Sequence, residues 1–151
     1  MQKIRRAVVA DVPEIQQMIN AYAAKDEMLP RSLSAIYENI RDFYVIDVDG
    51  KVLGCCAIHI TWSDLAEVKS LAVDESLHGS GYGRDMVNIC LEDAKLMGVT
   101  KVFALTYVPE FFEKLGFSRV EKSTLPHKIW SECINCPKFP DCGEEAVVKD
   151  I

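Results

Sequence analysis

Residues 78–84 read His78-Gly79-Ser80-Gly81-Tyr82-Gly83-Arg84, three glycines at alternate positions at the mouth of a helix-forming stretch. Glycine lets the backbone turn sharply and lets another molecule approach closely. Amides in a first helical turn have no acceptor inside the helix, so such a segment can hold phosphate on main-chain N–H groups without a metal or a lysine. Two familiar phosphate loops do not fit. A Rossmann fingerprint needs glycine where Arg84 stands, and a P-loop needs Gly-Lys-Ser/Thr, which the chain lacks. A tight turn with glycines needed only for geometry stays open beside the phosphate reading.

The second chemical cluster is Cys133-x-x-Cys136 followed by Cys142, with Pro137 and Pro140 between them. The close pair has a zinc-ligand spacing, and His127, Asp141 or Glu144 could complete a tetrahedral set. A zinc ribbon has a second close pair, which is missing, so no metal is assigned and the segment reads as a reduced, partly packed appendage. Cys55, Cys56 and Cys90 fall within apolar patterns and are expected to be buried, inert thiols.

These residues need elements to position them. Residues 4–7 fit a short first strand, and Asp11-Val12-Pro13-Glu14 fits a helix start, followed by Val12, Ile15, Ile19 and Tyr22 at helical spacing. Ser32 fits the cap of a second helix with Leu33, Ile36, Tyr37 and Ile40 on its inner face. Residues 43–47 and 51–60 flank Asp49-Gly50, a hairpin signal. A fourth strand over 66–73 leads into the glycine loop. A helix over 81–97 follows, then a fifth strand over 102–106 and a short helix over 109–115. The pattern weakens from Ser118, with a last strand expected at 146–148. Strands alternating with helices around a hairpin predict a mixed α/β fold with a partly antiparallel sheet.

With 151 residues the chain has the size of one domain, and it is expected to form one over 1–151, with 123–145 a cysteine-containing segment. Lys and Arg total 17 against 23 Asp and Glu, a net charge of -6 that disfavours nucleic acid and anionic membranes as partners. The start lacks a signal-peptide pattern, and the apolar run over 52–60 is too short to span a bilayer, so a cytoplasmic location is expected. The reading allows a homo-oligomer.

Val68-Lys69-Ser70-Leu71-Ala72-Val73, the glycine loop, and Phe111-Phe112-Glu113-Lys114-Leu115-Gly116-Phe117, in that order, resemble the GNAT superfamily of acyl-CoA-dependent N-acetyltransferases. His78 replaces the usual Gln or Arg of the first signature, and Phe112 the usual tyrosine of the second. The resemblance covers roughly residues 4–117. It implies a GNAT-like sheet with splayed fourth and fifth strands and helices on both faces. It also implies acetyl-CoA as acetyl donor, with pantetheine paired to the backbone of Leu71, Ala72 and Val73. The diphosphate would lie on amides of 79–84 (Gly79, Ser80, Gly81, Tyr82, Gly83, Arg84), with Phe111 and Phe112 near the sulfur.

A substrate ammonium has no lone pair until it loses a proton, so the reaction needs a base. By the same resemblance that base is Glu67, acting through water; an ion pair with Lys69 on the same strand face is the alternative reading. Tyr107 is the candidate acid or water-ordering group, beside a plain packing role. Backbone amides around Leu71 would stabilise the oxyanion. Leu29-Pro30-Arg31-Ser32, Ala66-Glu67, Leu105-Thr106 and Leu125-Pro126 resemble the acceptor side of N-acetylglutamate synthases, of which this chain would be a short form without the amino-acid-kinase domain. This implies L-glutamate as the amino-acid acceptor, for arginine biosynthesis. Arg31 would grip one carboxylate in bidentate fashion, Lys69 or Lys128 would meet the other, and Ser70 would contact the acceptor. Another small amine or a peptide, or a non-catalytic acyl-CoA or metal sensor, are the competing readings.

Overall fold

In a computed structural model, which describes residues 2–25, 31–125 and 144–151, strand pairing follows the order β1-β2-β3-β4-β5-β7-β6. The strands are β1 Gln2–Arg6, β2 Phe43–Val48, β3 Lys51–Trp62, β4 Leu65–Val73, β5 Lys101–Thr106, β6 Ser118–Val120 and β7 Glu145–Asp150. The helices are α1 Val12–Ala24, α2 Leu33–Glu38, α3 Tyr82–Leu96 and α4 Pro109–Glu113. Asp49 and Gly50 both take positive φ, 52° and 86°, as the tight turn between β2 and β3 requires. Ser32 caps α2 by accepting from the Ala35 amide at 3.1 Å.

Helices cover both faces, as the family resemblance implies. Met86, Val87, Cys90, Leu91 and Ala94 form the buried stripe of α3 against Ile58, Ala66, Val68 and Val102. On the opposite face Val12, Ile15 and Ile19 of α1 and Ile36 of α2 pack on Val45, Cys55, Ala57 and Ala72. Burying the Cys55 thiol pushes its pKa up to about 12, and the Cys56 thiol is pushed well up by Cys90, whose Sγ lies 3.7 Å away, and by burial. Cys55 and Cys56 are thus protonated, inert packing groups.

Sequence periodicity did not find β6, a three-residue strand of largely exposed residues paired with β7, whose Arg119 also bonds Glu110 and Glu113 at α4. β7 lies between β5 and β6, antiparallel to both.

Two irregularities in β4 shape the middle of the sheet. The parallel ladder to β5 has only three pairs, Leu65 with Lys101, Ala66 with Val102 and Glu67 with Phe103. Beyond them β4 runs on through Val73 while paired to β3, so the fourth and fifth strands part as expected. The second is a bulge. Cys55 faces Ala72 and Ala57 faces Lys69, so Ser70 and Leu71 together oppose the single residue Cys56. Ser70 has φ 57°, a left-handed conformation uncommon outside glycine, and its carbonyl accepts from the Cys55 thiol at 3.3 Å. The extra residue reverses the side-chain alternation. Ala66 and Val68 face α3 before the bulge, whereas Leu71 and Val73 face α3 after it and Ala72 faces α1.

A β-branched side chain at the left-handed position is strained by about 1–3 kcal/mol. Ser70→Val is therefore expected to lower the unfolding free energy in urea melts by about 2 kcal/mol, while Ser70→Gly holds it within about 1 kcal/mol of the parent. Equal stability of the two variants would show that the bulge does not impose this conformation.

Candidate active site

The segment between β4 and α3 is built from successive local turns. Asp74 accepts from the Ser76 amide at 3.0 Å and the Ser76 hydroxyl at 2.6 Å, which starts a 3-10 turn over Glu75–Leu77. The His78 amide donates to the Glu75 carbonyl at 3.1 Å and the Ser80 amide to Leu77 at 3.3 Å. Ser80's amide is therefore engaged inside the loop. Gly79 and Gly81 take φ of 79° and 87°, so both need glycine's freedom. The first helical bond of α3 is Asp85 amide to Gly81 carbonyl, 3.0 Å. Gly83 and Arg84 occupy the first turn, where amides have no acceptor within the helix and the helix dipole is positive. A Cβ on Gly83 would stand 3.3 Å from Phe111 Cζ, so Phe111 lies directly on this turn.

His78 does not point to the first turn. Its Nε2 lies 2.8 Å from the Val73 carbonyl and 3.0 Å from the Tyr22 hydroxyl, and that hydroxyl also donates to Val73. The end of β4, the start of the loop and the last turns of α1 meet at one carbonyl. Tyr22 enters the site in this way; helical spacing marks it only as a member of the inner stripe, and its hydroxyl was the available signal. Leu71 is half-buried, Ala72 buried and Val73 half-buried. Phe112 is buried in the core between Phe111 and Phe117, with ring centroids 5.2 Å from each.

Glu67 sits where β4 leaves β5. It is buried at 8% exposure, between His59 on β3 and Phe103 on β5. Ala66 and Val68 face α3, so alternation turns Glu67 and Lys69 to the other face, the one α1 and α2 cover. Arg31 leads into α2, its backbone fastened to α1 by Gln16 Nε2 donating to its carbonyl and its amide donating to Asn20 Oδ1, both at 3.3 Å. Glu67, Lys69 and Arg31 thus belong to one side of the sheet. Ser70 is buried in the bulge. Tyr107 is half-buried just past the end of β5, beside Thr106, whose hydroxyl accepts from the Val108 amide at 2.9 Å. Lys128, Leu29, Pro30, Cys133, Cys136 and Cys142 lie outside the described residues. Among the described residues no group of three or more His, Cys, Asp or Glu is arranged to hold a metal, and no helix is long and apolar enough to cross a membrane.

An anion held on the first turn of α3 would make the loop glycines decisive. Gly81→Val is expected to weaken CoA binding at least tenfold by calorimetry, because it strains the left-handed turn and crowds the approach. Gly50→Ala, at a positive φ remote in sequence from the loop, is expected to leave CoA affinity unchanged. Equal loss in both variants would remove the loop from binding.

The chain matches the model of the Acetyltransferase (GNAT) family over residues 10–117. It is 43% identical to an uncharacterized N-acetyltransferase of Chlorobaculum tepidum across 98% of this chain and 96% of the relative. It is 38% identical to the amino-acid acetyltransferase of Mycobacterium tuberculosis across 85% of this chain and 75% of that one. Among solved structures, Rv2747 of Mycobacterium tuberculosis in complex with CoA and NLQ superposes with a TM-score of 0.85 at 32% identity, covering 99% of both chains. N-acetylglutamate synthase of Neisseria gonorrhoeae, complexed with coenzyme A and N-acetyl-glutamate, gives a TM-score of 0.90 at 24% identity. That match covers 99% of this chain but 35% of that one, and at this identity the likeness is one of fold. With its family model matched from α1 to Phe117 and a full-length relative at 43% identity, the chain belongs to the GNAT family of acetyltransferases, and acetyl-CoA is its acetyl donor.

Proposed function

We propose that the protein transfers the acetyl group of acetyl-CoA to the α-amino group of L-glutamate, giving N-acetylglutamate for arginine biosynthesis. The observation that carries this reading is the fork in the sheet: β4 and β5 separate immediately beyond Glu67 and Phe103, and the buried carboxylate stands at the point of separation. A thioester can enter such a gap from the α3 side while an amine approaches Glu67 from the α1 and α2 side. The name of the Mycobacterium tuberculosis relative supports an amino-acid acceptor, and the resemblance of Leu29-Pro30-Arg31-Ser32, Ala66-Glu67 and Leu105-Thr106 to N-acetylglutamate synthases supports glutamate.

In this mechanism the amides of Gly79, Gly81, Gly83 and Arg84 hold the diphosphate, with Ser80 and Tyr82 completing the turn and Phe111 shielding it. The backbone of Leu71 and Ala72 pairs with pantetheine. Val73 joins them only if Tyr22 or His78 yields its carbonyl, since that oxygen has two lone pairs and two protein donors. Phe112 supports Phe111 from the core. Glu67 takes a proton from the substrate ammonium through water, and the freed amine attacks the thioester carbonyl. The Leu71 amide stabilises the oxyanion. Collapse breaks the C–S bond, forms the amide and releases CoA thiolate. With a thiol pKa of about 8.5, that leaving group takes a proton from Tyr107 or from water ordered there, and the nitrogen gives up its remaining extra proton through the same water to restore that donor. Arg31, Lys69, Ser70 and Lys128 hold the two acceptor carboxylates against the protein's net charge of -6.

A panel of L-glutamate, other amino acids, a peptide N-terminus and spermidine, followed by thiol release, tests the acceptor. Glutamate is expected to give the highest kcat/KM; reaction of spermidine or the peptide without glutamate would refute the assignment. Arg31→Ala is expected to raise the glutamate KM at least tenfold and leave the acetyl-CoA KM within about twofold. Glu67→Gln is expected to lower kcat by about a hundredfold while acetyl-CoA affinity holds.

A further inference from the structure

Glu67 is buried, and a buried base must pass each proton on before the next turnover. Directly across the β3–β4 ladder from it stands His59. Cross-strand partners of an antiparallel pair hold their Cβ atoms about 5 Å apart on one face, close enough for two long polar side chains to meet directly or through one water. Ile58 faces α3, so alternation turns His59 to the face that Glu67 also takes. The His59 side chain is 37% exposed, whereas Glu67 is 8% exposed, so the ring reaches both the carboxylate's neighbourhood and solvent. Its Nδ1 lies 2.7 Å from Asp42 Oδ2 in the 3-10 turn that leads into β2. That contact fixes the ring plane and leaves Nε2 as the nitrogen available to Glu67 or its water.

We propose that His59, oriented by Asp42, is a positioning residue for acetyl transfer that accepts the proton from Glu67 and delivers it to solvent. This rests on Glu67 being the base. The proton leaves the substrate ammonium for the Glu67 carboxylate, passes to Nε2 of the neutral ring, and leaves the imidazolium for water, so the enzyme returns to its starting state. The charged groups facing the ring are Asp42 from the turn before β2 and Glu67 and Lys69 from β4. The hydrogen bond to Asp42 raises the pKa of His59 above its ordinary value; Glu67 raises it further and Lys69 lowers it. A ring that must be neutral to accept a proton loses function as pH falls, and the Asp42 carboxylate places that loss at a higher pH than an unpartnered histidine would.

The test is kcat and KM against pH for the parent, His59→Gln, Asp42→Asn and Glu67→Gln, with acetyl-CoA and each amino acid of the panel above. His59→Gln is expected to lower kcat at pH 7 by at least about tenfold, to hold both KM values within about twofold, and to recover rate when imidazole is added. Asp42→Asn keeps the ring and is expected to move the acid limb of kcat to lower pH; this reading stands even if His59→Gln folds poorly. Parent-like kcat in His59→Gln, or an acid limb unmoved in Asp42→Asn, would overturn the relay. Parent-like turnover in Glu67→Gln would instead overturn Glu67 as base, which separates the two failures.

Discussion

Backbone N–H and C=O groups need partners, and the parallel ladder between β4 and β5 stops supplying them after three residue pairs. Everything distinctive about the middle of this molecule follows from that constraint. A strand of nine residues is paired to β3 on both sides of the bulge, but its β5 edge opens beyond Glu67. An extended polar molecule with its own amides, of which pantetheine is one, can restore the missing ladder. The bulge at Ser70 lies within the open stretch and turns Leu71 and Val73 toward α3, the helix whose first turn faces the glycine loop. In the proposed reaction the strand edge, the bulge and the helix start would meet acetyl-CoA one after another.

The junction at Val73 couples this strand edge to the rest of the fold. Tyr22 from α1 and His78 from the loop both reach the Val73 carbonyl, and Lys25 pairs with Glu75 at 3.2 Å just beyond. The exposed ion pair adds little energy. The Tyr22 and His78 contacts matter more, because they tie the loop to α1 and to the strand together. α1 in turn carries Gln16 and Asn20, which fix the backbone of Arg31. The Val73 junction and the backbone of Arg31 thus share one helix as a common support.

Much of this was legible in the sequence because local chemistry and periodicity agree there. Asp49-Gly50 specifies its turn, Ser32 its cap, and the stripe Val12-Ile15-Ile19 its face. The glycine loop was legible for the same reason, since positive φ at Gly79 and Gly81 demands that residue. What escaped depends on pairing across distance. β6 has no pattern of its own and exists through β7; the Ser70 bulge is set by register against β3; and the Tyr22–His78 meeting joins residues far apart in the chain. The partnership of His59 with Asp42 is hidden for the same reason, because neither residue's neighbours in sequence announce it.

The central claim is that acetyl-CoA lies along the open edge of β4 and ends on the first turn of α3. Titration of acetyl-CoA into 15N-labelled protein, followed by amide chemical shifts, tests it most directly. The largest shifts are expected at Leu71, Ala72, Gly79, Gly81, Gly83 and Arg84, with Gly50 and Gly98 unmoved. Saturable binding that leaves these amides in place and shifts others would contradict it.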